Sequence, residues 1–175
     1  GLSTYIDTPL SDGLAALQAG EADTVLLAAM GGALTVRILE QGGHCLGAIR
    51  ELILQPQSEI HLVRRWLGEN HYRIVEEDVV LDGGKYYPII KAVHGEQETL
   101  SEAELCYGRT ELQQSLPALE DYIRVCLAKN RDIRERLGAH GKEDSPRMRE
   151  LERQNRFMEK ILSEIGTRKK EGIGI

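Results

Sequence analysis

The sequence predicts an α/β chain in which parallel crossovers end in an antiparallel hairpin, with a pair of long antiparallel helices after it. Three observations carry this. From Asp23 to Leu39, the apolar run Val25-Leu26-Leu27 gives way to small residues, Ala28 to Gly32, and then to Leu34, Ile38 and Leu39 at helical spacing. That is strand, tight turn, helix. Asp82-Gly83-Gly84 separates two runs rich in β formers, the pattern of a hairpin turn. After Gly108, apolar residues recur in steps of three and four over two long stretches, as in paired helices.

Taken in order, Ser3 to Ile6 reads as a short strand and Ser11-Asp12-Gly13 as a turn. Leu14 to Gln18 begins a helix that stops at Gly20. The central strand covers Asp23 to Leu27, and its helix runs from Ala33 to about Gln41, ended by Gly42-Gly43. Two glycines at the carboxyl end of a buried strand let a ligand approach the backbone; the plainer alternative is a turn that only connects two elements. Glu51 to Leu54 is a second buried strand, which Gln55-Pro56 should halt because proline has no N–H for the ladder. Ser58 to Gly68 is an amphipathic helix with Ile60, Val63 and Leu67 on one face. Tyr72 to Leu81 and Lys85 to Val93 form the hairpin, and Pro88 points to an edge position or a bulge.

A polar connection from Gly95 to Gly108 holds a short helix at Ser101 to Cys106. The first long helix then carries a seam of Leu112, Leu116, Leu119, Ile123, Cys126, Ile133 and Leu137, with Asn130 filling the polar gap. The second carries Met148, Leu151, Asn155, Met158, Leu162 and Ile165. Ser145-Pro146 starts it, an N-cap followed by proline at the first helical position. The two asparagines either pair across the seam or are simply tolerated within it.

Composition bounds the rest. With 41% apolar residues, one Trp and one Phe, the chain builds a largely aliphatic core, and it has no run of about eighteen apolar residues to cross a membrane. It begins Gly-Leu-Ser, without Met and without a basic-then-apolar leader, so the natural N-terminus is expected upstream. Cys45, Cys106 and Cys126 are odd in number and far apart, which suits reduced thiols in a cytoplasmic protein. The five histidines show no ligand spacing, and no metal site is expected. The net charge of −6 conceals an asymmetry: 8 basic and 19 acidic residues up to Asp121, then 14 basic and 8 acidic from Tyr122 to Lys170. The basic helical segment therefore points to an anionic partner, with nucleic acid first, although exposed helices also carry such charge as a solvated face.

Four motifs occur in a telling order: Ser11-Asp12-Gly13-Leu14, Ala28-Ala29-Met30-Gly31-Gly32, Leu52-Ile53-Leu54-Gln55-Pro56-Gln57, and Asp82-Gly83-Gly84-Lys85-Tyr86-Tyr87. Together with the helical hairpin, they resemble the TrmK-type tRNA (adenine(22)-N(1))-methyltransferases across nearly the whole chain. The resemblance implies the C-terminal half of a class I (Rossmann-like) methyltransferase sheet at residues 1–95, followed by an antiparallel coiled-coil hairpin at 96–175. It implies S-adenosyl-L-methionine as cofactor and tRNA as substrate. On this reading Asp12 and Gly13 meet the cofactor's adenine, and Ala29, Met30, Gly31 and Gly32 border its methionine end. Gln55, Pro56 and Gln57 lie beside the target adenine, and the basic hairpin grips tRNA.

Two residues depart from the family pattern. Ala29 replaces a glycine, which is tolerable if its φ stays negative. Gln57 replaces an asparagine and carries its amide one methylene further out. The family's first two strands, with the glycine loop and the acidic residue that hold the cofactor, have no counterpart here. The chain is therefore expected to be a piece that binds cofactor weakly or not at all, and an open sheet edge or the helical hairpin invites self-association. Methylation of a ring nitrogen needs alignment and charge stabilisation more than acid-base help, and Tyr86 or Tyr87 can receive the base if it faces the cleft. The competing expectations are a non-catalytic RNA-binding or helical interaction module, and a small-molecule methyltransferase whose hairpin dimerises.

Overall fold

A computed structural model describes residues 6–172. Strand β1 (Thr24–Met30) is followed by α1 (Gly32–Gln41), the short α2 (Gly43–Leu46), β2 (Glu51–Pro56) and α3 (Ile60–Glu69). β3 (Tyr72–Asp82) and β4 (Lys85–His94) form the hairpin; α4 (Glu102–Tyr107), α5 (Leu116–Ala139) and α6 (Pro146–Lys170) complete the chain. The strands make one mixed sheet in the order β1-β2-β4-β3, with β1 parallel to β2 and the other pairings antiparallel.

One face of the sheet is dry. Val25, Leu27, Leu52, Leu54, Ile90 and Ala92 project from it at the strand period and pack under Ile38 and Leu39 of α1 and Val63, Trp66 and Leu67 of α3. On the opposite face Leu26 is 64% exposed, level with Ile53 and Lys91 in the pairing register, and no strand pairs with the outer edge of β1 among the described residues.

Several expectations change. Most of the Ser3–Ile6 strand lies outside the described residues, and Ile6 belongs to no element. Leu14 to Gln18 is a turn rather than a helix: Gly13 sits at φ +58°, and the span before Gly20 is too short to repay helix nucleation. Strand β2 runs through Pro56 instead of ending at Leu54. Its ladder with β4 stops at Leu54↔Ile90, so Pro56 meets only Met30 of β1 and costs no bond on the β4 side. Pro88 is on an inner strand, not at an edge. It pairs with Val79 and lies past the end of the β2 ladder, while the irregularity falls on β3 between Ile74 and Glu76. The hairpin turn is as expected, with Gly83 at φ +52° and Gly84 at +77°, the paired left-handed conformation of a two-residue turn.

α5 and α6 lie antiparallel, since Glu120 meets Lys169, Asn130 meets Asn155 and Arg134 meets Glu152. Ser115 and Ser145 cap them, each followed by a proline within the first turn. A second apolar cluster joins Leu116, Leu119 and Ile123 to Met158, Ile161 and Ile165, with Val79 of β3 completing it. The asparagines do pair, Asn130 Nδ2 donating to Asn155 Oδ1 at 2.9 Å. Cys126 and Ile133 are only half-buried and lie beside the seam.

The connection is held by a buried ion pair. Arg64 of α3 and Glu77 of β3, each 2% exposed, meet through Arg64 Nε and Nη2 at 2.8 and 2.7 Å from Glu77 Oε1. Arg64 Nη1 also donates to the Leu105 carbonyl, and Glu77 Oε2 accepts from the Arg109 amide. The pair thus ties α3, β3 and the segment after α4 into one unit. α4 begins with a complete capping box between Ser101 and Glu104.

Candidate active site

The carboxyl ends of the parallel strands β1 and β2 are stitched together residue by residue. Ala28 lies opposite Gln55, and Met30 opposite Pro56. The Gln57 amide donates to the Met30 carbonyl at 2.8 Å, the Gly32 amide to the Ser58 carbonyl at 2.8 Å, and the Ala29 amide to Gln55 Oε1 at 3.0 Å. Met30 and the Gln55-Pro56-Gln57 run therefore share one place, at the topological position where open α/β sheets bind ligands.

The glycine pair is explained by this clasp. A Cβ on Gly32 would stand 2.4 Å from the Glu59 carbonyl oxygen and 2.8 Å from that of Ser58, and one on Gly31 would stand 3.0 Å from Ser58 Oγ. Their smallness lets the two strand-end loops touch. Ala29 corrects the expectation of a negative φ, because it sits at +65° where the register between β1 and β2 shifts. For alanine this left-handed conformation costs about 1–2 kcal/mol, and the Gln55 bond helps to hold it.

That bond also fixes the glutamine. An N–H can only be met by the amide oxygen, so Gln55 Nε2 must point the other way. Nε2 is buried and has no hydrogen-bond partner among the described residues. A donor left in that condition is costly unless something is recruited to it.

Asp12 and Gly13 stand elsewhere. A Cβ on Gly13 would lie 3.0 Å from Ile38, roughly 9 Å along α1 from Gly32 at 1.5 Å per residue. The turn from Asp12 docks through Leu14 beside Ile38 and Gly42, and Asp12 itself is exposed.

Gln57 is exposed and opens onto a groove of about 360 Å³ between the β3–β4 turn and α5, walled by Ile60, Tyr86, Tyr87, Tyr122 and Lys129. A second hollow of about 590 Å³ shares Gln57, Ile60, Tyr122 and Lys129 and continues toward His61 and Arg147. Tyr86 packs on Tyr122 with ring centroids 5.9 Å apart and joins the helical cluster, and Tyr87 lines the same groove beside the turn. Burial pushes the Tyr122 hydroxyl above its usual range, and burial likewise raises the Cys126 thiol even though Tyr122 and Lys129 act to lower it. Both stay protonated at neutral pH. Ser58, Tyr122 and Lys129 carry no local motif that marks them as site residues. The one signal that could find the last two is a stripe, Tyr122, Cys126, Lys129 and Ile133, in steps of four, three and four along one helix face.

No group of three or more metal-ligating side chains occurs among the described residues, and no helix there is long and apolar enough to cross a membrane.

Comparison with known proteins gives this arrangement its family. The TrmK family, described as tRNA (adenine(22)-N(1))-methyltransferase, matches residues 1–165. The tRNA (adenine(22)-N(1))-methyltransferase of Bacillus subtilis (strain 168) is 37% identical over 98 residues, which are 56% of this chain and only 41% of that relative. An uncharacterised protein from Listeria monocytogenes serotype 4b superposes with a TM-score of 0.82 at 26% identity, over 92% of this chain and 72% of that one. A Streptococcus pneumoniae protein solved in complex with S-adenosyl-L-methionine superposes with a TM-score of 0.74 at 26% identity, over 93% of this chain and 71% of that one. On the strength of the match over residues 1–165, the chain belongs to the TrmK family.

Proposed function

We propose that this chain provides the base-receiving half and the RNA-gripping arm of an S-adenosyl-L-methionine-dependent methyltransferase that modifies N1 of an adenine in tRNA. The observation that carries the reading is the buried, unpartnered Nε2 of Gln55 at the strand-end clasp. In the bound cofactor, the methyl carbon is made electrophilic by the neighbouring sulfonium. The chain's own part is to hold the adenine ring in line with it. Gln55 Nε2 can donate to an acceptor on the base, leaving the N1 lone pair free to form the new bond. Pro56, buried opposite Met30, fixes the strand end that carries it, and Gln57 bounds the side facing α5. Ala29 and Met30 offer backbone to the cofactor's methionine end, Gly31 and Gly32 keep that backbone in place, and the exposed Asp12 beside Gly13 accepts from its adenine amino group.

The uncovered face of the sheet supports a larger whole. Among the described residues no strand pairs with the outer edge of β1, which suits two further strands alongside it. Leu26 lies bare on the adjoining face, which suits a helix from the same part, and together they would bring the rest of the cofactor site. On this reading residues 1–95 are part of a Rossmann-like catalytic domain and 96–175 a coiled-coil domain, working in the cytoplasm. Alone, the 175-residue chain is expected to bind S-adenosyl-L-methionine weakly and to self-associate through the open edge.

The test extends the chain upstream in its natural reading frame and measures 1-methyladenosine formed in transcribed tRNA. Gln55→Glu keeps an oxygen for the Ala29 amide and removes the donor. Activity in the parent with a loss of at least about tenfold in Gln55→Glu, or about 1.4 kcal/mol in the barrier, is expected. An inactive parent would overturn the function, and an unimpaired variant the role of Gln55.

A further inference from the structure

We infer that the groove between the β3–β4 turn and α5 is a second base pocket, which takes a nucleotide flanking the methylated adenine. The inference rests on the function proposed above and goes beyond it, because this groove is separate from the Gln55 clasp. Its walls include Gln57 but neither Gln55, Met30 nor Gly31. Gln57 stands between the two places, so a strand that leaves one base at Gln55 passes into the groove with the next.

Three features fit that occupant. The walls carry Tyr86, Tyr87 and Tyr122, and Tyr122 holds its place against Tyr86 at 5.9 Å between centroids. As a neutral tyrosine, Tyr122 offers a ring to a base and no repulsion to a phosphate. The volume of about 360 Å³ lies at the lower end of the range for small-molecule sites, enough for a base with its sugar. Finally, the rim is cationic. Lys85 and Lys129 line this groove, and Arg147 lies at the far end of the adjoining hollow. None of the three forms an ion pair with another described residue, so each is available to a phosphate. Aromatic surface between unpaired cations is the chemistry that holds single-stranded nucleic acid, stacking the base and tracking the backbone.

The experiment uses the 175-residue chain and tRNA carrying 2-aminopurine, placed in turn at the target adenine and at each neighbouring position. Binding should quench one of the neighbouring probes. Filling the groove with Val125→Trp, at a residue that is 36% exposed, should abolish that quenching and weaken tRNA binding at least about fivefold, the lower end of what one stacked base contributes. Lys85→Ala with Lys129→Ala, both at exposed positions, should weaken binding and flatten its salt dependence by about one unit of slope per lysine. If neighbouring probes stay bright, or if Val125→Trp leaves their quenching intact, the pocket is overturned while the function stands. If the parent chain does not bind tRNA at all, both fall.

Discussion

The Ala29 amide donates to the side-chain oxygen of Gln55 across the ends of two parallel strands, and Ala29 is held in a left-handed conformation as it does so. The two facts are coupled, since the bond is made at the register shift that the unusual φ produces. Replacing Ala29 with glycine removes about 1–2 kcal/mol of backbone strain and returns about 0.4–1 kcal/mol through the freer unfolded chain. Ala29→Gly should therefore raise stability by about 0.5–1 kcal/mol, seen as a higher urea midpoint at unchanged m-value. A destabilised Ala29→Gly would show that the alanine methyl packs productively where it stands.

Gln55 makes the converse case. Gln55→Leu keeps much of the volume and deprives the Ala29 amide of its acceptor. Because Ala29 is exposed and water can replace the lost acceptor, the cost should be about 0.5–1.5 kcal/mol. Hydrogen exchange at Ala29 gives the direct readout: slow in the parent, fast in Gln55→Leu.

The buried Arg64–Glu77 pair predicts a larger effect. Removing one partner leaves an uncompensated charge in an apolar setting, so Glu77→Gln or Arg64→Met should destabilise by about 3–5 kcal/mol. Replacing both by apolar residues should recover only part of this. The Leu105 carbonyl and the Arg109 amide lose their partners in the double variant as well. Denaturant melts of the two singles and the double measure the coupling; full recovery in the double would mean those backbone groups find water or one another.

How much of this could be read from the chain depends on the range of the interactions. The buried runs at Val25 and Leu52, the hairpin at Gly83-Gly84 and the Ser145-Pro146 helix start are local patterns, and each lies where the spacing puts it. The first seam holds only in part: Leu112 precedes the helix that begins at Leu116 and packs on the sheet core, and Cys126 and Ile133 fall beside the contact line. Leu14 to Gln18 looked helical by composition, yet the docking of Leu14 on α1 decided its conformation. Pro56 looked like a stop because its neighbours were unknown; the ladder with β4 had already ended. Arg64 and Glu77 are indistinguishable in the sequence from ordinary surface charges, since only the crossing of α3 over β3 buries them. The groove has no sequence signature for the same reason: Gln57, Tyr86 and Lys129 are far apart in sequence and meet only through the packing of the helical pair on the sheet.

The asparagine pair should behave as a specificity device. Asn155→Leu strands the Asn130 amide in the seam, where Asn130 is 9% exposed, and should cost about 1–3 kcal/mol. Asn130→Leu with Asn155→Leu makes the seam continuously apolar and should match or exceed the parent in stability. A register that is no longer pinned should then show itself as mixed oligomers in sedimentation. A double variant as unstable as the single would place the amides in contacts beyond each other.

Glu120 gives the helical pair a predictable acid response. Hydrogen bonds from Lys169 and then Arg124 hold its carboxyl below the usual carboxylate value of 4.5, joining the start of α5 to the end of α6. The folded state thus binds this proton less readily than the unfolded chain does. The stability it contributes is in full force above about pH 4.5 and is lost as pH falls through the lower folded value. The carboxylate lies near the surface, so the contribution at neutral pH should be below about 1 kcal/mol and shrink in salt. Glu120→Gln removes the titration and most of the attraction. The parent should therefore exceed the variant in stability at pH 7 by that small margin, and the two curves should converge as the pH falls below 4.5 through the lower folded value. A gap that persists undiminished at low pH would mean that Glu120 acts through packing, with its charge playing no part.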